Sequence, residues 1–449
     1  MHTVRFQPLA RLRGSQFFSV FNGGDELARG RCFLLASSIT ANIAAALFGG
    51  TFYSGFLLAN GIDLVQIGVI SFIPNLCVLF SLLSPPFLAK LAKRKSFLLT
   101  LHAVYYFLLI VAITVLPYLN LSKEWTIGLL ALFLLIAHGC NAFSNAGWFV
   151  WHKKLIPEPV RATYFSYSLA IIGVMNSVVQ ILGAVLADAL KAGGDELTGM
   201  VIVRLSGLLF AAIDMVCLAC IKEYPYEAVT SHTRIRDVFL LPFKHKKYLG
   251  TVVLKMTWNL ISGLVTSFVS VFLLQSVGIS YTYIYVMTAL YGVFLIVFTP
   301  VWKRIIQRTN MFTGLALSLL TYAPGYFLYA LLTPDNCVWL YPVIICLHHW
   351  SGVGYNLAIA EMPYVNMPSD HEECYASFHV VGVNMMAFFG LMLGTLFVDL
   401  IGDGAVVIGS MQFTAIPILL VVTSVLLLIY ALVAQIAAPH LIAPKHSGQ

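Results

Sequence analysis

Twelve stretches of apolar residues follow one another along the chain, each 22 to 27 residues long. They are Cys32–Leu58, Val65–Leu88, Ser96–Leu119, Thr126–Trp148, Phe165–Leu190, Met200–Ile221, Tyr248–Leu274, Tyr281–Trp302, Met311–Leu332, Val338–Ala360, Tyr375–Ile401 and Phe413–Ala437. Stretches this long cross a hydrocarbon core of roughly 30 Å as helices. Polar residues inside them keep helical spacing. His138, Asn141, Asn145, Trp148 and His152 share one face of the fourth stretch, because three- and four-residue steps return to the same side of a helix. Lys255, Asn259, Ser262, Thr266 and Ser270 do the same in the seventh. The tenth carries His349, Gly352 and Asn356, with His348 and Tyr355 beside them, and the first carries Ser38, Asn42 and Tyr53. The twelfth is almost uniformly apolar, as a lipid-facing span would be.

The pattern repeats. Shifting the chain by 211 positions lays His138 on His349, Asn145 on Asn356, Pro157 on Pro368 and Tyr164 on Tyr375. A second echo joins PFLAKLAKRK from Pro86 to PVWKRIIQRT from Pro300. The fold class expected is therefore an all-α membrane protein of twelve transmembrane helices in two parallel six-helix repeats. The boundaries are an N-terminal segment 1–31, a first half 32–221, a linker 222–247, a second half 248–437 and a tail 438–449. Within the linker, Thr233–Phe243 mixes basic and bulky apolar residues and reads as a short helix on the membrane surface.

Composition agrees: 59% of residues are hydrophobic and 10% charged, too little charge to cover a soluble protein of this size. Of 26 Lys and Arg, 22 fall on one side if both termini are cytoplasmic, and Lys123 and Lys191 alone lie in loops on the other. That asymmetry fixes the expected orientation. It also accounts for the net charge of +7 through the lipid bilayer and not through nucleic acid. Arg204 lies one turn from the outer end of its span and is expected to snorkel to the surface. Cys217 and Cys220 form a CxxC with no second pair, so buried inert thiols are expected, with no metal and no cofactor. The chain lacks G-x-x-x-x-G-K-[ST], H-E-x-x-H and G-x-S-x-G, which leaves no sign of direct ATP use or of an intramembrane enzyme.

At the loop after the second span, Leu88, Ala89, Lys93 and Arg94 fit the signature G-x-L-A-D-R-x-G-R-[RK]. LIPEPVRATYF from Leu155 fits the turn P-x-x-x-R-x-x-Y-F. In these residues, in span number and in its halves, the chain resembles the major facilitator superfamily of bacterial type. It departs from it where Pro86, Lys90 and Ala92 replace Gly, Asp and Gly, and span 5 lacks the Gly-Pro element of drug antiporters.

The resemblance implies a monomeric secondary transporter of the plasma membrane. Spans 1, 4, 7 and 10 would line a central cavity for a small-molecule substrate, with protons as a coupling partner. The candidate substrate-binding residues are then Asn42, Tyr53, His138, Asn141, Asn145, Trp148, Asn259, Ser262, Thr266, His349, Tyr355 and Asn356. His138 and His349 are expected to face each other near the midplane. With Asp214 and Lys255 they are the coupling candidates. Lys90, Arg94, Arg161, Arg304, Arg308, Glu361, Glu372 and Glu373 are the gate candidates, an acidic loop after span 10 facing Lys153, Lys154 and Arg161. A drug/proton antiporter and a non-transporting receptor on the same fold stay open as alternatives. So does the ordinary role of Asn, Ser and His in membrane helices, which is to bond a neighbouring helix at about 0.6 kcal/mol each.

Overall fold

The computed structural model describes residues 20–21, 26–88, 90–91, 93–153, 155–224, 235–360, 362, 365–368, 370–402, 404–408 and 411–441. Long helices dominate it: α1 Glu26–Ala59, α2 Leu64–Leu83, α3 Lys95–Leu119, α4 Lys123–Lys153, α5 Glu158–Ala192, α6 Glu196–Cys220, α7 Lys246–Val277, α8 Tyr281–Arg308, α9 Met311–Ala330, α10 Cys337–Ala360, α11 Glu372–Ile401 and α12 Ala415–Leu441. All but α10 are long and apolar enough to cross a membrane, which makes the chain a multi-pass membrane protein. α10 has the length, at 24 residues, but His348, His349, Ser351 and Asn356 interrupt its apolar stretch.

Several helices are broken or rewound. α1 changes course at Gly49–Gly50, where Gly50 takes φ +54°, a left-handed conformation that suits glycine because it has no Cβ. α2 is interrupted at Phe72, just before Pro74, and then tightens into a 3₁₀ turn over Val78–Leu83. Phe107–Ala112 of α3 and Phe272–Val277 of α7 are wound as π-helix. The start of α1 lies six residues earlier than the first apolar stretch, and Arg31 is buried there. Its Nε donates to the Val20 carbonyl at 2.8 Å and its Nη1 to the Leu155 carbonyl at 3.2 Å. A helix, Ile235–Lys244, forms in the linker where a short helix was expected, with residues 233–234 outside the described part. It packs Val238 against Tyr248, Tyr375 and Phe378. Two short antiparallel strands, Val406–Ile408 and Met411–Phe413, connect α11 to α12. They are an addition to the all-helical expectation.

Close packing is found both among the first six helices and among the last six. In the first, α6 lies on α1, where Gly207 meets the Ala44 backbone. In the second, α9 lies on α12, and Ser424 Oγ donates to the Ala323 carbonyl at 2.7 Å. α7 meets α11 along a glycine seam. A methyl group placed on Gly390 would strike the Leu260 carbonyl, and one on Gly394 the Leu264 carbonyl. Small residues of this kind let backbones approach where lipid gives no hydrophobic drive. On the outside, large apolar residues stay uncovered, such as Leu169, Ile296 and Leu400 at 70%, 79% and 77% exposure.

The seam has a measurable consequence. Gly394→Ala forces two backbones apart and should lower unfolding stability by about 1–3 kcal/mol, as overpacking does. Gly292→Ala, on α8 with open space around it, should raise stability by roughly 0.5–1 kcal/mol through helix propensity. Thermal unfolding of the two variants in one detergent compares them. Equal responses would mean the seam is not tight.

Candidate functional site

The four helices expected to line a cavity carry polar side chains at uncovered positions. Asn42 on α1, Asn145 on α4, Thr266 on α7 and Asn356 on α10 are all exposed. Asn42 Nδ2 donates to its own helix at the Ser38 carbonyl, 2.7 Å, and Thr266 Oγ1 to the Ser262 carbonyl, 2.7 Å. Asn356 Nδ2 donates to Tyr291 Oη at 2.6 Å. Asn141, Asn259 and Ser262 are half-buried, and Asn259 Nδ2 donates to the Lys255 carbonyl at 2.9 Å.

Each of the two histidines is held by a neighbouring helix. His138 sits edge-on to Tyr105 of α3, ring centres 5.8 Å apart. His349 Nε2 lies 2.9 Å from the Met287 carbonyl of α8, between the rings of Tyr291 and Phe294. No hydrogen bond or ring contact joins the two among the described residues. Trp148 donates through Nε1 to Ser144 Oγ at 3.2 Å and packs on His102, Trp151 and His152. Tyr53 lies over the Arg204 guanidinium, 5.5 Å from its ring centre.

The charges buried in α6 are fully engaged. Asp214 accepts from Ser37 Oγ of α1 at 2.5 Å and from Tyr106 Oη of α3 at 2.8 Å, and its other close partner is His102 Nε2 at 2.9 Å. It thereby ties α1, α3 and α6 together at that level. His102 is the residue that reading the sequence missed. Depth was the available signal: His102 is seven residues into α3 from Lys95, and Asp214 six residues from the end of α6 at Cys220. Antiparallel neighbours place those positions at one level. Arg204 corrects an expectation, since it points inward and does not snorkel. Its Nη1 donates to the Phe48 carbonyl at 2.8 Å, its Nη2 to the Leu109 carbonyl at 2.5 Å and its Nε to Thr114 Oγ1 at 3.0 Å. Phe48 is the last residue before the break in α1, and Leu109 lies in the π-helical stretch of α3. Such breaks interrupt the helical hydrogen-bond ladder, and Arg204 supplies donors to it. Phe56 covers the guanidinium at 4.5 Å.

The gate candidates are dispersed. Lys90, Arg161, Arg304 and Arg308 are exposed, and Arg94 is buried within its own half, its amide donating to Glu223 Oε1 at 2.6 Å. Lys154 and Glu361, and the side chains of Lys153, Glu372 and Glu373, lie outside the described part.

The two groups of six do meet at the other end, the one poor in Lys and Arg. Asp188, near the end of α5, accepts from the amides of Tyr281 and Thr282 at 2.9 and 2.7 Å. A carboxylate thus satisfies the free N–H groups that begin α8 and faces the positive end of its dipole. Tyr281 Oη donates to Glu196 Oε1 at 3.1 Å, which also pairs with Lys191 at 3.0 Å. Phe52 of α1 stacks on Tyr285 at 4.6 Å, and Phe72 of α2 meets Phe388 of α11 at 5.0 Å. Among the described residues, the hydrogen bonds and cation–ring contact between the two groups fall here, as do the Phe52 ring contacts, whereas Phe72–Phe388 lies deeper, eight residues into α2.

No protein-family model and no curated protein matches the chain. Solved structures do. A bacterial homologue of the iron transporter ferroportin, in an inward-facing state, superposes with TM-score 0.71 at 14% identity, covering 92% of this chain and 99% of that one. The D323A mutant of the nucleoside transporter NupG gives 0.66 at 14%, covering 91% and 99%. A D-xylose-proton symporter gives 0.65 at 12%, covering 91% and 97%. The chain has the fold of major facilitator transporters. Each of those three proteins is a transporter.

Asp214→Ala removes the shared acceptor of three helices. It should cost about 3–5 kcal/mol of stability, as loss of one partner of a buried charged pair does. Asp214→Asn, which keeps an acceptor oxygen, should cost less. Detergent unfolding would show the order. If alanine and asparagine cost the same and little, Asp214 is not the tie.

Proposed function

We propose that the chain is a twelve-span secondary transporter that carries a small polar solute across the plasma membrane by alternating access. α10 is the twelfth span, the two sets of six are parallel repeats, and both termini and the basic loops are cytoplasmic. The observation that carries this reading is the exposure of Asn42, Asn145, Thr266 and Asn356 on α1, α4, α7 and α10. An amide facing lipid has no partner for its donors, so polar residues in spans face the bundle interior or water. Four of them uncovered on four helices fit a water-filled path between the halves.

Hydrogen bonds across the two groups of six at one end, among the described residues, support the same reading. With the Lys/Arg-poor end outside, the molecule is closed outward and open toward the cytoplasm. Asp188 on the α8 N-terminus, with Phe52 on Tyr285, is then the outer closure. Lys90, Arg94, Arg161, Arg304, Arg308, Glu361, Glu372 and Glu373 belong to the inner closure, which would form in the opposite state. Iron, nucleoside and D-xylose carriers share this fold, so it leaves the cargo open. The solute-facing residues proposed are the exposed four together with His138, Asn141, Trp148, Asn259, Ser262 and Tyr355. His349 and Tyr53 sit against neighbouring helices and shape the wall behind them. His138, His349, Asp214 and Lys255 are the candidates for coupling to a proton or solute gradient.

Uptake into liposomes reconstituted with the full chain tests the reading, against a panel of sugars, nucleosides, amino acids and organic acids. Asn145→Leu and Asn356→Leu should each keep the parent's unfolding temperature and cut uptake about tenfold, the equivalent of roughly 1.4 kcal/mol. Uptake of no panel member, or uptake untouched by both variants, sinks it.

The closure has its own test. Spin labels on cysteines at Trp125 and Val338, both highly exposed at the Lys/Arg-poor end of α4 and α10, report the gap between the halves. Asp188→Ala should lengthen that distance, because it leaves the first amides of α8 without their acceptor. An unchanged distribution would mean that the aromatic contacts hold this end without it.

A further inference from the structure

Lys255 is a cation set well inside a span, with no carboxylate paired to it among the described residues. Lys255 lies nine residues beyond the first residue of α7, Lys246, about 14 Å along the axis. Its Nζ donates to Tyr355 Oη of α10 at 2.9 Å and stands 5.1 Å from the centre of that ring. An ammonium has three donors, and Tyr355 takes one. No carboxylate stands within ion-pair distance of it among the described residues. His379 of α11 lies within electrostatic reach of the ammonium, and its Nε2 is buried without a partner. Trp258, one turn along α7 from Lys255, lies 4.1 Å from the Tyr355 ring and 5.3 Å from Tyr322 of α9.

A cation inside a membrane span is expensive and normally paired. Here an ammonium on α7 with unmet donors meets a tyrosine hydroxyl on α10, beside an aromatic wall and within reach of an unpartnered His379 on α11. We propose that Lys255, Tyr355 and His379 bind the head of an organic anion, a carboxylate, whose flat body lies along Trp258. Lys255 supplies the charge that neutral donors lack. The Tyr355 hydroxyl accepts from Lys255 and still has its own proton to give. His379, with its proton on Nε2, is a third donor. A charge-assisted hydrogen bond is roughly twice as strong as a neutral one, so the site discriminates by charge before shape. The site names the class of solute for the pathway proposed above, and only its being carried rests on that reading.

The test is direct binding to the purified full chain in detergent, read by tryptophan fluorescence and by unfolding temperature. The probes are sodium benzoate, its uncharged counterpart benzamide, and inorganic phosphate. Benzoate should stabilise more than benzamide or phosphate. Lys255→Gln should weaken benzoate binding at least about tenfold, roughly 1.4 kcal/mol, while Lys255→Arg keeps most of it. Tyr355→Phe, which preserves the ring, should weaken it by less, and it serves if Lys255→Gln does not fold. Benzamide matching benzoate, or Lys255→Gln and Tyr355→Phe both binding benzoate as the parent does, overturns the proposal. Stronger Lys255-dependent stabilisation by phosphate overturns the carboxylate assignment. Stability that changes in Lys255→Gln with no response to any probe assigns Lys255 to an internal partner and also overturns it. Benzoate binding without uptake would leave this site standing and remove the transporter reading. Uptake that ignores Lys255→Gln would do the reverse.

Discussion

Hydrocarbon accepts no hydrogen bonds, and every irregularity in this protein has to be satisfied from within the protein. The Arg204 guanidinium shows how. α1 breaks at Gly49–Gly50 and α3 is rewound over Phe107–Ala112. Those two defects present carbonyls to the same spot, and one side chain from α6 reaches both. A straight α1 would give Arg204 one acceptor fewer, and a neutral residue at 204 would leave the freed carbonyls bare. The break and the charge stabilise each other. The same reasoning covers Asp214, whose cost inside the membrane is offset by three partners on two other helices.

The break in α1 has a use. It lets the segment Gly50–Ala59 lean out from its own bundle, so that Phe52 reaches Tyr281 and Tyr285 of α8. The core shared by the two halves gathers around it, with Phe268 and Ile284 from one side and Phe56 and Ile67 from the other. Apolar contact supplies area there, and Asp188 supplies direction by fixing where α8 begins. Toward the opposite end α11 still touches the inner part of α2, but no carboxylate of this kind is present among the described residues.

How much was legible follows from the kind of signal each feature leaves. Apolar length and Lys/Arg asymmetry are properties of the chain taken linearly, so the helices could be read, although α1 begins six residues earlier, at Glu26, α5 seven earlier, at Glu158, and α8 runs six further, to Arg308. The polar faces of α4 and α7 could be read because helical spacing is linear too, and Asn145 and Thr266 do stand uncovered. Partnership is not linear. Nothing near Asp214 in sequence announces His102, and only comparison of depth on two antiparallel helices would have paired them. Arg204 was misjudged for a related reason. Snorkelling is the default for a cation near a span end, and the acceptors that draw it inward exist only because two backbones depart from ideal geometry. The pairing of Lys255 with Tyr355 was out of reach in the same way, since 100 positions separate them.

The left-handed Gly50 also divides α1 mechanically. Its outer piece has ten residues, about 15 Å of rod. It bends away from the inner piece at Gly50 and lies between α6 on one side and α7 and α8 on the other. A swing of about ten degrees at the hinge carries the far tip through roughly 2.6 Å on that 15 Å lever. The inner piece, anchored by Ser37 to Asp214, need not turn at all. The first helix is therefore two bodies: a fixed post inside its bundle and a short lever leaning on the other half.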